Sequence, residues 1–237
     1  MDDDRSLAAL GLDANPVAAP LTYPGVAPEE SGLLVGERYL RLRPVRDRRL
    51  GQWRVEVPVG HDRSGAPEGA QTWVSLNHAL LHHNQAPVDH RYPVLAVGSN
   101  ASPGQLTHKF AQHDLMPVLP MTTAKVHGLA AGVSPHISRA GYVAATPIAA
   151  DGESDLFVCW PSASQLKALD ATERNYRRLF LPGKRFPVVL PSGEQLGGCY
   201  AYVNRWGCLL AEDQTPLRLI GQRDGFVSES EVLAHIP

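Results

Sequence analysis

The chain has 237 residues and 43% hydrophobic content, enough to bury a sizeable core in one elaborated domain or two small ones. A formal net charge of −2, with the arginines between Arg41 and Arg49 interleaved with apolar residues as on the wet face of a strand, argues against a nucleic-acid surface. No apolar run approaches the about 18 residues of a membrane-spanning helix, and an acidic start followed by Ala- and Pro-rich sequence does not read as a signal peptide.

Residues 1–30 are expected to form a loosely ordered arm. Residues 31–90 read as a strand-rich extension plus a helix. Within it, residues 33–59 suggest two or three strands, with turns near Gly51-Gln52 and Pro58-Val59-Gly60. A polar loop, HDRSGAPEG at 61–69, precedes a helix starting at Trp73 or Ser75 and running to about His83, capped by Ser75 with Leu76 and Leu80 inward. His78 and His82 lie four apart on that helix, near His83 and His90, a spacing that lets two imidazoles share a metal ion. No Glu lies between them in the metalloprotease pattern and no third ligand is evident, so they read as surface or capping residues.

Residues 94–97, between the punctuation of Pro93 and Gly98, form a short β-favouring run that stops abruptly at Gly98-Ser99-Asn100. Gly98 permits a positive φ, and Ser99 or Asn100 can bond its own backbone. Ser102-Pro103 is an N-cap followed by a first helical position, opening a helix that carries Leu106 and Phe110 on one face. Such a loop is either an ordinary strand-to-helix turn or, with its free N–H groups, a cradle for an anionic group.

Further on, residues 157–160, FVCW, read as a strand feeding a helix capped by Ser162 or Ser164. Leu166 and Leu169 form its apolar stripe, Asp170 and Glu173 lie three apart on a neighbouring face, and the helix is expected to end near Asn175. Glu173, beside Tyr176 and two arginines, is either a solvated ion-pair partner or an acid/base group. Residues 185–190 and 198–203 read as strands joined by the Ser192-Gly193 turn, and Ser228 with Glu231 caps a short C-terminal helix within 211–237. His108, His127 and His136 occur singly, and His136, after Pro135, is either a pocket-lining residue or a satisfied loop histidine. Ser99 lacks the G-x-S-x-G context of a hydrolase nucleophile, and Cys159, Cys199 and Cys208 lack a C-x-x-C motif, which fits reduced thiols in the cytoplasm.

VGSNA at 97–101 and LDATE at 169–173, in this order and spacing, resemble the YGSNL-type loop and LDxxE helix of the γ-glutamylcyclotransferase-like family. GYVAATP at 141–147 is similar to that family's central strand, and the strand through Tyr200 and Tyr202 to its closing one. The resemblance covers roughly 91–210. Val97 and Ala101 depart from the aromatic and larger apolar residues that usually flank the loop, which alters the pocket wall, and Tyr176 follows Glu173 as in the glutathione-specific branch. The resemblance implies an α+β fold, a mixed barrel-like sheet with surrounding helices. It also implies Glu173 as catalytic acid/base, and Val97, Gly98, Ser99, Asn100, Ala101 and Tyr176 around the substrate.

The chemistry suits those groups. In a γ-glutamyl amide the substrate's own α-amine can attack its side-chain carbonyl, so no protein nucleophile, cofactor or metal is required. A carboxylate shielded from water can take the ammonium proton and return it to the leaving amine. The loop N–H groups either grip the α-carboxylate or stabilise the oxyanion. The expected function is therefore cyclisation of a small γ-glutamyl amine or amide to 5-oxoproline. The alternatives are a binding or scaffold protein of the same fold, and an amide hydrolase using the same pocket.

Overall fold

Leu33 and Leu34 are adjacent in sequence and both fully buried. Successive side chains of a strand point to opposite faces, so this part of the sheet is covered on both sides. A computed structural model describes residues 4–58 and 71–219. Its strands are β1 (Gly32–Val35), β2 (Arg38–Arg43), β3 (Arg54–Pro58), β4 (Gln71–Ser75), β5 (Val94–Ala96), β6 (Val118–Ile137), β7 (Val143–Cys159), β8 (Tyr176–Pro182), β9 (Val188–Val189) and β10 (Gly198–Asn204). Its α-helices are α1 (Leu76–His82), α2 (Pro103–Ala111) and α3 (Ala163–Thr172). The strands form one sheet in the order β4-β3-β2-β1-β6-β7-β5-β10-β8, with β9 beside β6. The β5–β10 pair is parallel and its neighbours are antiparallel, giving a mixed, curled half-barrel sheet of the α+β class.

Alternation along each strand divides the core. Leu33, Val158 and Ala201 join Leu76 and Leu80 of α1 in one cluster; Leu34, Phe157, Cys159 and Tyr202 join Leu106 and Phe110 of α2 and Leu166 and Leu169 of α3 in the other. Two helices thus share one face, and the ends they bring together form the site described below.

Several local signals act as the spacing predicts. Ser75 accepts His78 N–H at 3.3 Å at the start of α1, and Trp73 belongs to β4 instead of the helix, where it faces Glu56 across the ladder. Ser162, not Ser164, caps α3, in a reciprocal box with Gln165. Other features differ from the sequence reading. Residues 118–137 form one long strand, paired with β7 through two register shifts; the bulges break the period-2 pattern that would have marked it. The Ser192-Gly193 turn returns the chain locally, with Leu196 N–H bonding Val188 O at 2.9 Å, but it does not pair the two expected strands: β9 joins β6, while β10 joins β5 and β8. Segment 5–25, expected to be loose, is packed. Leu7 and Leu12 are buried in the α2–α3 face, and Tyr39 N–H reaches Arg5 O at 2.8 Å; contacts at irregular spacing leave no periodicity to read. The 61–69 loop and the helix at Ser228 lie outside the described residues.

Candidate functional site

Strand β5 delivers the chain into a single 3-10 turn at Ser99–Ala101, after which Ser102 caps α2 and Pro103 occupies its first turn. Gly98 has φ −147, so the expected positive φ is not what the glycine provides. It is required by close approach: a Cβ there would lie 2.5 Å from the Tyr23 hydroxyl and 2.9 Å from Ala145 Cβ. The N–H groups of Gly98, Ser99 and Asn100 find no acceptor among the described residues. The loop's far side is anchored where the Cys159 thiol, pushed up to about 12 by burial, donates to Asn100 O at 3.2 Å. Val97 is half-buried against both the α1-side core and the Tyr23 cluster, and Ala101 is buried beneath α2 and α3.

Helix α3 ends at Thr172 and Glu173 is its C-cap, earlier than expected, because Tyr176 N–H turns back onto Glu173 O at 3.0 Å and starts β8. Its carboxylate meets the loop. Glu173 Oε1 accepts from Asn100 Nδ2 at 3.1 Å and from Lys109 Nζ at 2.7 Å, and Lys109 Nζ also donates to Asn100 Oδ1 at 2.8 Å. The triangle fixes the amide's orientation, since only its oxygen can accept from an ammonium. The Lys109 and Glu173 side chains are only 10% and 12% exposed. Glu173 Oε2 takes no hydrogen bond among the described residues and is not sealed from solvent.

Lys109 escaped the sequence reading. The available signal is its position three after Leu106 and one before Phe110, on the inward face of α2, where a lysine needs a partner. Asp170, the other acid of α3, is turned elsewhere: Arg178 bonds it at 2.8 and 3.1 Å, and Tyr202 OH donates to it at 2.8 Å.

Tyr176 sits beside the site, but its hydroxyl donates to Ala145 O at 2.8 Å and lies 3.1 Å from Ser134 Oγ; burial pushes it up to about 12. Behind it, Asn204 Nδ2 donates to Ser134 Oγ at 3.2 Å and to His136 Nδ1 at 3.0 Å. Asn204 Oδ1 is held by Trp206 N–H at 2.8 Å, so the amide cannot turn over, and His136 Nδ1 must act as an acceptor. The ring is therefore neutral, in keeping with desolvation, which lowers its pKa.

On the other face a cleft of about 220 Å³ is lined by Arg49, Asp89, Arg91, Trp160 and Glu194, among others, and by none of the residues above. Two of its ionic groups hold the fold together: Arg91 donates to three backbone carbonyls, and Glu194 accepts Leu50 N–H at 2.8 Å. Among the described residues no group of three or more His, Cys, Asp and Glu side chains is placed to hold a metal ion, all three cysteines are free, and no helix is long and apolar enough to cross a membrane.

No protein-family model and no curated protein matches this sequence. Its fold is similar in part to that of solved structures. One is the solution structure of an Arabidopsis thaliana protein, 18% identical, TM-score 0.38, covering 53% of this chain and 75% of that one. A second is a γ-glutamyl cyclotransferase, 17% identical, TM-score 0.36, covering 48% and 66%. A third is the crystal structure of an uncharacterized protein from Homo sapiens, 19% identical, TM-score 0.37, covering 48% and 67%.

Proposed function

We propose that this protein is a cyclotransferase that converts a small γ-glutamyl amine or amide to 5-oxoproline and the free amine. One observation carries the reading: Glu173 is held through Oε1 by Asn100 and Lys109, with Oε2 open, next to three backbone N–H groups that have no partner among the described residues. A carboxylate fixed beside an anion cradle supplies a proton shuttle and a charge clamp without a nucleophile. The sequence motifs around Gly98 and Glu173 point to the same chemistry.

In the reaction, the substrate's α-ammonium gives a proton to Glu173 Oε2. The freed amine attacks the γ-carbonyl carbon; a C–N bond forms and the carbonyl electrons move onto oxygen. Collapse of this intermediate breaks the original amide bond, and the departing nitrogen takes the proton from Glu173. Glu173 then removes the second proton from the new ring nitrogen, leaving the neutral lactam N–H, and passes it to the released amine, which departs as an ammonium. Lys109 and Asn100 orient the carboxylate throughout. Val97 and Tyr176 form walls of the site, and Ala101 supports its floor from the core. The three free thiols support a place in the cytoplasm.

The test is mass-spectrometric detection of 5-oxoproline after incubation with γ-glutamyl amines, γ-glutamyl dipeptides and glutathione. Free glutamate in place of 5-oxoproline makes the protein a hydrolase. Binding without any product makes it a ligand-binding member of the fold.

A further inference from the structure

The N-terminal segment is strapped across the start of α2. Gly104 N–H donates to Leu12 O at 3.0 Å, and a Cβ added at Gly25 would come within 2.6 Å of Ser102 Oγ. Between these contacts Tyr23 turns inward, 8% exposed, its ring stacked on Tyr142 at 4.4 Å and its oxygen against Gly98. That oxygen accepts Ala145 N–H at 2.6 Å, while Tyr176 donates to the carbonyl of the same residue. The two tyrosines therefore bracket Ala145 but differ in what they leave over. Tyr176 has given its one hydrogen to the carbonyl; the Tyr23 hydrogen has no acceptor among the described residues. Burial above all holds the Tyr23 hydroxyl well above its ordinary pKa, so it stays a donor. A donor buried without an acceptor is costly, and here it lies beside a loop with three more.

We propose that the Tyr23 hydroxyl, with the N–H groups of Gly98, Ser99 and Asn100, grips the α-carboxylate of the substrate, so that the N-terminal segment is a wall of the binding site. This rests on the cyclotransferase reading above. A carboxylate brings two oxygens with about four lone-pair sites, a match for four donors, whereas the reacting carbonyl offers one oxygen. Glu173 engages the loop through Asn100, which leaves the Gly98 end for the group that does not react.

Tyr23→Phe keeps the ring and its stack and removes the hydroxyl. With γ-glutamylalanine as probe, KM is expected to rise by about 10- to 100-fold, the range for a hydrogen bond to a charged group, while kcat changes by less than about threefold. Wild-type protein should also reject the α-carboxamide analogue of the probe, and Tyr23→Phe should reject it less by the same factor. Loosening of β7 through the lost Ala145 bond alone would not produce that second effect. Should Tyr23→Phe not fold, 3-fluorotyrosine placed at position 23 keeps the hydroxyl, and its fluorine resonance should move with γ-glutamylalanine and not with the carboxamide. If the wild type makes 5-oxoproline while neither discrimination nor resonance responds, Tyr23 is only a packing residue and the proposed function stands. If the wild type neither binds γ-glutamylalanine nor forms 5-oxoproline from any γ-glutamyl compound, both proposals fall.

Discussion

Two carboxylates three residues apart at the end of α3 are held in opposite ways. Asp170 lies in a half-open corner with both oxygens bonded, by Arg178 and by Tyr202 from neighbouring strands. Glu173 lies in a closed corner with one oxygen bonded, by groups from the loop and from α2, and the other open. A saturated acid at the surface secures a strand to a helix. An acid held by one oxygen, with the other accessible, can exchange a proton with a ligand without releasing its own supports.

The comparison breaks most readily at Glu173. Glu173→Gln is expected to fold and to lose about 10²- to 10⁴-fold in 5-oxoproline formation, the usual effect of removing a general acid/base. Near wild-type turnover by the folded variant would end the assignment. Lys109→Met comes next, because it leaves the Glu173 charge buried without its partner. It should cost about 3–5 kcal/mol in urea unfolding, with part of the loss recovered in the double variant Lys109→Met/Glu173→Gln. A cost below about 1 kcal/mol would mean that the two corners do not differ in kind.

Asp170→Asn sharpens the contrast from the other side. Its pair with Arg178 is partly open to water, and asparagine still accepts from Tyr202, so the expected cost is about 1 kcal/mol or less, with turnover unchanged. A large loss of activity in a stable Asp170→Asn protein would assign the chemistry to the wrong acid. The smallest effect concerns His136 behind Tyr176. Its folded pKa is lowered from 6.5 by desolvation, so the unfolded chain takes up the proton first. The stability it contributes is complete above about pH 6.5 and declines as pH falls through the lowered value. Unfolding midpoints between about pH 7.5 and 5 should lose that component in His136→Gln; an unchanged profile would show that the ring's neutrality contributes nothing.

The parts of the site that were legible from residues alone are those written in local code. Glycine before Ser99, a serine–proline helix start and an acid at the end of an amphipathic helix are all set by neighbours within a turn. Lys109 was half legible, as a charge on an inward face. Tyr23 was not legible, since nothing in its Ala- and Pro-rich surroundings marks it as buried, and the twenty-residue strand β6 was hidden by bulges that interrupt its alternation.

By itself, the sequence determined where helices begin and which side chains turn inward. Ser102 and Ser162 cap their helices because a hydroxyl reaches backbone N–H groups three residues on, and Leu33 and Leu34 part to opposite faces because a strand has a period of two. Only the tertiary structure decided that Asn100 bonds Glu173, 73 residues away, and that Tyr23 closes on Ala145 from 122 residues away. Contacts of that range depend on α2 and α3 packing on one face of the sheet and on a strap crossing over them, and no backbone period carries information about partners that distant in the chain.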